Sequence, residues 1–161
     1  MTELLLSIHT HSVDETAQFA AMIAFGCRQG DCILLRGDLG TGKTAFARGF
    51  ISSLCPGVQV TSPTFTLLQT YDAKDSTVWH FDLYRLEKAD EVYETGIEDA
   101  LRDGIMLIEW PDIISQILPV DALEVQIAYR KNENDRLISV RSADMRWKPL
   151  FEVLENHVGL T

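Results

Sequence analysis

The hydrophobic residues in the first third of the chain form one short continuous run and two segments with helical spacing. Residues 32–35 form a continuous apolar run, which is typical of a buried parallel strand. Ser12 and Glu15 have the spacing of a capping box, so we predict a helix over residues 13–28. After a glycine-rich turn, an apolar stripe with helical spacing predicts a second helix that ends at Pro56. The pattern therefore predicts a buried strand between two helices.

The rest of the chain is richer in strand patterns. We predict two strands over residues 65–71 and 78–83, joined by a turn, and a second buried strand over the apolar run 105–108. Residues 123–129 alternate apolar and polar positions, and the alternation resumes after a polar turn at 131–135, as in an antiparallel hairpin with one solvated face. Further helical segments are expected at residues 90–102, 111–118 and 147–158. This mixture predicts a parallel core with antiparallel edge strands.

A phosphate-binding pattern follows the first buried strand. It reads Gly37-Asp38-Leu39-Gly40-Thr41-Gly42-Lys43-Thr44. Its position between an apolar strand and an amphipathic helix is the context that such a loop requires. The glycines let backbone N–H groups surround an anion, and the helix N-terminus adds positive potential. We expect Lys43 to be a solvent-facing side chain that reaches the terminal phosphates, and the Thr44 hydroxyl to bind Mg²⁺.

These features predict one domain over residues 1–161 that binds ATP or ADP with Mg²⁺. The predicted fold class is α/β, a P-loop NTPase-like sheet with a parallel core, antiparallel edge strands and helices on both faces. The metal also needs an acid at the end of a neighbouring strand. Glu109 follows the run 105–108 and is the better match, and Asp82 is the second candidate. His80 is expected to be a strand or core histidine and not a ligand. Trp110 either stacks on an aromatic ring, shields the phosphates or packs in the core.

Composition and charge exclude several classes of function. Acidic residues outnumber basic ones 24 to 14, the net charge is −10 and the basic residues are scattered, so strong nucleic-acid binding by this chain alone is not expected. No apolar stretch approaches the roughly 20 residues of a membrane span. The three cysteines form no C-x-x-C pair, which suits a reducing compartment. We expect a cytoplasmic protein without membrane association.

Three classes of nucleotide-binding protein remain open at this point. The chain has no Asn-Lys-x-Asp motif, which disfavours a GTPase. A small-molecule kinase that uses Asp82 as its catalytic base is the alternative to an ATPase, although the arginines are too dispersed to predict an arginine-rich lid. A nucleotide-sensing module without meaningful hydrolysis is the third class.

Several sequence blocks resemble the TsaE family (older name YjeE), the bacterial ATPases needed to make threonylcarbamoyladenosine in tRNA. The blocks are the phosphate loop, residues 62–67 (SPTFTL), 80–86 (HFDLYRL), 96–97 (GI) and 109–111 (EWP). The resemblance covers about residues 12–129. It implies a protein that binds ATP with Mg²⁺, hydrolyses it slowly and associates with the TsaD and TsaB proteins. TsaD would perform the transfer to tRNA, so this chain would act on tRNA only indirectly.

The resemblance also implies roles for individual residues. Thr44 and Glu109 would hold Mg²⁺, Asp82 would be required for hydrolysis, Trp110 would influence it, and Thr64 would lie in a switch-like loop. The nucleotide would be bound by Val13 near the base and by Asp38, Leu39, Gly40, Thr41, Gly42, Lys43, Thr44, Ala45 and Trp110. No glutamine in a switch-like position and no arginine finger can be assigned, apart from Arg85 as a candidate. Slow turnover that a partner accelerates would follow.

Overall fold

The structure, a computed structural model, describes residues 3–158. Its strands are β1 Leu4–Thr10, β2 Cys32–Arg36, β3 Leu68–Asp72, β4 Thr77–Asp82, β5 Ile105–Glu109, β6 Leu123–Tyr129 and β7 Arg136–Ser142. Its α-helices are α1 Val13–Phe25, α2 Lys43–Leu54, α3 Ile97–Asp103 and α4 Lys148–Val158. Short 3₁₀ helices lie at Ala89–Thr95, Pro111–Ile117 and Met145–Trp147. Within residues 3–158, the helices are too short or too polar to cross a membrane.

All seven strands belong to one sheet, in the order β1-β7-β6-β2-β5-β4-β3. The four central strands β6, β2, β5 and β4 run parallel to one another. The hairpin strand β7 is antiparallel to β6 and to β1, and β3 is antiparallel to β4. The predicted parallel core with antiparallel edge strands is therefore confirmed.

The continuous apolar runs are explained by helices on both faces of the sheet. In β2, Ile33 and Leu35 pack in a core with residues of α1, α2 and α4. Cys32 and Leu34 point to the opposite side and pack with residues of α3 and the 3₁₀ helix at Pro111–Ile117. Because successive side chains of a strand point to opposite faces, a strand covered on both sides has apolar residues throughout.

The first strand is the main element that the sequence analysis does not predict. In β1 the half-buried residues Leu4, Leu6 and Ile8 pack against the core and alternate with exposed residues. Two other boundaries also differ. The strand predicted from residue 65 begins at Leu68, after Leu67 has adopted a left-handed backbone with φ of 66°. The first helix ends at Phe25 instead of residue 28.

Helices α1 and α2 approach each other closely at Gly49. A Cβ atom at this glycine would lie 2.5 Å from the carbonyl oxygen of Ala17 and 2.6 Å from its Cα. Backbone atoms cannot yield as a flexible side chain can, so only glycine fits at the present spacing of the helices. Since α2 begins at the phosphate loop, this contact also fixes the position of the loop relative to α1.

We predict that Gly49→Ala destabilises the protein. In an unconstrained helix this change stabilises by about 1 kcal/mol, but here the added methyl group must push two helices apart. The expected loss is about 1–3 kcal/mol of unfolding free energy, measured by urea denaturation. Ser52→Ala, at an exposed position of the same helix, is the matched control and should leave the midpoint nearly unchanged. A Gly49→Ala protein as stable as the parent would contradict the close approach.

Candidate phosphate-binding site

The phosphate loop connects the end of β2 to the start of α2. Gly37, Gly40 and Gly42 all have positive φ, at 151°, 81° and 108°. A Cβ at Gly37 would lie 2.6 Å from the carbonyl oxygen of Ile127, so close packing also requires glycine there. Gly42 is the N-cap residue of α2 and has no side chain to accept from the first turn. The N–H groups of that turn therefore remain available to an anion.

Lys43 is the first residue of α2, and its side chain folds back over the loop. The side chain is buried, whereas the sequence analysis predicts a solvent-facing lysine. Its Nζ donates to the carbonyl oxygens of Gly37 (2.5 Å) and Asp38 (3.2 Å) and lies 3.9 Å from the centre of the Trp110 ring. Burial lowers the pKa of this ammonium group, and the nearby carboxylate of Glu109 acts in the opposite direction.

Two carboxylates lie next to each other at the ends of neighbouring strands. Asp82 of β4 and Glu109 of β5 are partners in the parallel register, and both are buried. Glu109 Oε2 lies 2.7 Å from Nε2 of His80. Among the described residues, this is the side-chain partner of the Glu109 carboxylate. The two acids named as alternatives in the sequence analysis thus lie side by side.

Asp82 connects two further segments. Its Oδ2 accepts a hydrogen bond from the Thr64 hydroxyl at 3.0 Å, and its Oδ1 accepts from the backbone N–H of Tyr84 at 3.1 Å. The Thr64 hydroxyl also lies 2.7 Å from the hydroxyl of Ser62. The structure therefore brings Thr64, predicted in the switch-like loop, into direct contact with Asp82. The neighbouring Phe65 is 81% exposed and stacks under the guanidinium of Arg85.

Trp110 has an unusual backbone. Its φ and ψ are 57° and 56°, a left-handed conformation that costs a bulky residue about 1–3 kcal/mol. The indole ring is half-buried, lies under the Lys43 ammonium and packs at a 50° tilt against Tyr84, with 4.9 Å between ring centres. The conformation thus aims the ring at the phosphate loop. The ring thus packs on an aromatic side chain beside the loop, and shielding of the phosphates by Trp110 stays a prediction.

The hairpin of β6 and β7 braces the loop from the opposite side. The Tyr129 hydroxyl donates to the carbonyl oxygen of Leu39 at 3.2 Å, and Arg136 Nε donates to that of Thr41 at 2.6 Å. The Arg136 guanidinium also stacks on the Tyr129 ring at 4.7 Å. The sequence analysis missed both residues, because nothing in the local pattern of a hairpin shows which loop it will contact.

The remaining predicted residues lie around this centre. Leu39, Thr44 and Val13 are exposed, and Ala45 is half-buried. Val13 begins α1, and the preceding His11 is hydrogen-bonded to Asp135 at 3.0 Å, in the same hairpin turn that leads to Arg136. The start of α1 is thereby linked to the hairpin that contacts the phosphate loop.

The donor atoms fit Mg²⁺ bound together with a nucleotide. Within residues 3–158, no group of three or more histidine, cysteine or acidic side chains could hold a metal ion by itself. Mg²⁺ in nucleotide sites usually takes one or two protein ligands and completes its octahedron with phosphate oxygens and water. One hydroxyl, from Thr44, and one carboxylate, from Glu109, form a set of this kind.

Comparisons with known proteins identify the family of this chain. The sequence model of the family described as "Threonylcarbamoyl adenosine biosynthesis protein TsaE" matches residues 10–138. The tRNA threonylcarbamoyladenosine biosynthesis protein TsaE of Rickettsia conorii is 44% identical over 83% of this chain and 77% of its own length. The protein of the same name from Bacillus subtilis is 34% identical over 97% of this chain and 98% of its own length.

A solved structure shows the same fold. The crystal structure of Bacillus subtilis YdiB superposes with a TM-score of 0.77 at 30% identity and covers 98% of both chains. The likeness thus extends over nearly the whole length of both chains. The chain belongs to the TsaE family of threonylcarbamoyl adenosine biosynthesis proteins.

Proposed function

We propose that this protein binds ATP with Mg²⁺, hydrolyses it slowly and thereby supports threonylcarbamoyladenosine formation in tRNA, together with TsaD and TsaB. One observation carries the proposal. An uncapped helix N-terminus, a lysine and two buried carboxylates lie together at the carboxyl ends of the central parallel strands. A phosphoryl-transfer site needs these groups, because its catalysis consists mainly of positioning and charge stabilisation. The family's role in tRNA modification supplies the biological context.

The phosphates would be bound by the loop and by Lys43. The Lys43 ammonium donates to two carbonyl groups of its own loop. Binding of ATP would replace these contacts by hydrogen bonds to phosphate oxygens, in which both the donor and the acceptor are charged. The indole of Trp110 lies against the ammonium and would help to exclude water there.

Thr44 and Glu109 would hold Mg²⁺, which polarises the phosphoryl oxygens when it is bound. Asp82 would serve the hydrolytic step. Both oxygens of the Asp82 carboxylate are already engaged, by Thr64 and by the Tyr84 backbone. Its orientation is therefore fixed before substrate arrives, as preorganised catalysis requires. A γ-phosphate that competes for the Thr64 hydroxyl would break the hydrogen bond between Thr64 and Asp82. The surroundings of Asp82 and the position of the loop that contains Thr64 would then change together.

The charges around the site support slow turnover by the isolated chain. An arginine at the transferred phosphoryl group accelerates such reactions by roughly 10³ to 10⁵. Arg85 is stacked on Phe65, and Arg136 donates to backbone carbonyl groups. Arg36, which directly precedes the loop, is paired with Asp112 and Glu124. These contacts engage all three arginines, so the missing charge would come from a partner. The net charge of −10 supports contact with tRNA through TsaD and TsaB and not directly.

The family membership favours this function over phosphorylation of a metabolite by a small-molecule kinase. Phosphate release assayed with and without TsaD, TsaB and tRNA distinguishes the two. Stimulation by the proteins supports the ATPase, and a requirement for a small acceptor supports the kinase. If no phosphate is released under any condition, the protein would instead be a nucleotide-sensing module without hydrolysis. The setting that we propose for this reaction is the cytoplasm.

Lys43→Ala is expected to weaken ATP binding at least about tenfold, since a hydrogen bond to a charged group contributes about 1.5–3 kcal/mol. Titration with a fluorescent ATP analogue measures the affinity, and circular dichroism shows whether the variant remains folded. Lys88→Ala removes an exposed lysine outside the site and is the matched control. A folded Lys43→Ala protein with the parent's affinity would remove the lysine from the site.

Asp82→Asn is expected to lower the rate of phosphate release by about 10²-fold or more, the size of a lost acid or base contribution. Asparagine keeps an oxygen for the Tyr84 N–H, so ADP affinity should stay within about threefold of the parent. Asp72→Asn, at the exposed far end of β3, controls for the general loss of a negative charge. Normal turnover in Asp82→Asn would exclude this carboxylate from the mechanism.

The complex with TsaD and TsaB should form best with a non-hydrolysable ATP analogue and less well with ADP or no nucleotide. Size-exclusion chromatography measures the complex, and bare tRNA should not shift the isolated chain. Thr64→Ala should reduce the difference between the nucleotides, because it removes the hydroxyl that contacts Asp82. Thr66→Ala, in the same loop, removes a hydroxyl that contacts Gln69 instead. Equal complex formation in all nucleotide states would contradict the switch.

A further inference from the structure

His80 is a buried polar side chain whose position is not explained by packing. It is 2% exposed, and its Nε2 lies 2.7 Å from Glu109 Oε2. Its other ring nitrogen, Nδ1, is the one fully buried side-chain nitrogen or oxygen of residues 3–158 that lacks a hydrogen-bond partner. An unpaired buried polar atom opposes folding, and a hydrophobic side chain of similar size would avoid it.

The sheet register explains why Nε2 and the carboxylate meet. His80 pairs with Leu107 across the parallel strands, and Glu109 follows two residues later on the same face of β5. On the other side of His80, its cross-strand partner Gln69 donates its amide to Thr66 at 3.3 Å. Gln69 thus makes no hydrogen bond to the ring, and the imidazole makes its one hydrogen bond to Glu109.

We propose that His80 is a positioning residue that holds the Glu109 carboxylate in the orientation required to bind the metal. The inference rests on the proposed role of Glu109 as a Mg²⁺ ligand. When Nε2–H donates to Oε2, rotation of the carboxylate is restricted and Oε1 is left for the metal. Among the described residues, no hydrogen-bond donor competes for Oε1. Hydrogen bonds to ligating carboxylates typically change metal affinity by about 10- to 100-fold.

This role also accounts for the unpaired Nδ1. With the Nε2–H tautomer, Nδ1 is a buried acceptor without a donor, which lowers the stability of the fold. A histidine in this position thus makes a hydrogen bond to Glu109 but leaves its Nδ1 buried without a partner, which destabilises the folded state. If the residue served packing alone, leucine would fill the space without that unfavourable atom.

The test is the affinity of Mn²⁺ for the complex of the protein with ADP, measured by electron paramagnetic resonance. His80→Leu should raise the Mn²⁺ dissociation constant about 10- to 100-fold. ADP binding in the presence of EDTA should stay within about twofold, and the thermal midpoint should not fall. His80→Gln, whose amide nitrogen can occupy the position of Nε2, should restore most of the Mn²⁺ affinity.

Reference variants separate the possible failures. Glu109→Gln reports on the proposed function, and Gln69→Leu reports on general disturbance of the β3–β4 pair. Mn²⁺ affinity that falls in Glu109→Gln but not in His80→Leu would overturn the positioning role alone. An unaffected Glu109→Gln would overturn the metal role of Glu109 and the inference with it. Equal losses with and without metal would show that His80 is only structural.

A second comparison applies if His80→Leu does not fold. His80→Gln and His80→Asn are both polar and similar in size, but the asparagine amide is too short to reach the position of Nε2. Under the proposal, His80→Gln binds Mn²⁺ about tenfold more tightly than His80→Asn. Equal affinities of these two variants would refute it.

Discussion

The parallel register of β2, β5 and β4 determines where the polar groups of the site lie. Leu35 pairs with Glu109, and Glu109 in turn pairs with Asp82, so all three strands end together beside the phosphate loop. Ligand sites of open α/β sheets lie at the carboxyl ends of parallel strands for this reason. A shift of one residue in β5 would turn the Glu109 side chain to the opposite face, away from α2. The chemistry of the site thus depends on a backbone alignment that is set by the packing of apolar residues.

Burial of charged groups imposes the next constraint. Lys43, Asp82 and Glu109 are all nearly excluded from water, and such groups need partners. Each has them: loop carbonyl groups for the lysine, Thr64 for one acid and His80 for the other. These partners also fix the orientations of the two carboxylates, whereas the lysine would exchange its loop contacts for a phosphate group. Such preorganisation is a main source of catalytic stabilisation in sites of this type.

The sequence predicts the parts of the site that follow from local pattern. The loop at 37–44 and the strand ends at Asp82 and Glu109 each follow a short apolar run, and each lies where expected. The alternation in β1 was missed, because three consecutive leucines conceal it and its partner β7 lies more than 120 residues away. The inward fold of Lys43 and the brace from Arg136 depend on contacts between distant segments, which no local spacing encodes.

The same contacts relate the two aspects of the proposed function, slow hydrolysis and binding of a partner. A continuous series of contacts leads from Thr64 in an exposed loop to Asp82, Tyr84, Trp110 and Lys43. If nucleotide changes the affinity of this loop for a partner, then the partner must change the affinity for nucleotide by the same factor. Such coupling requires two arrangements of the contacts that differ in free energy. The Thr64 hydroxyl, shared between Asp82 and a γ-phosphate, would provide these two arrangements, so weak activity alone and dependence on a partner follow from the same hydrogen bond.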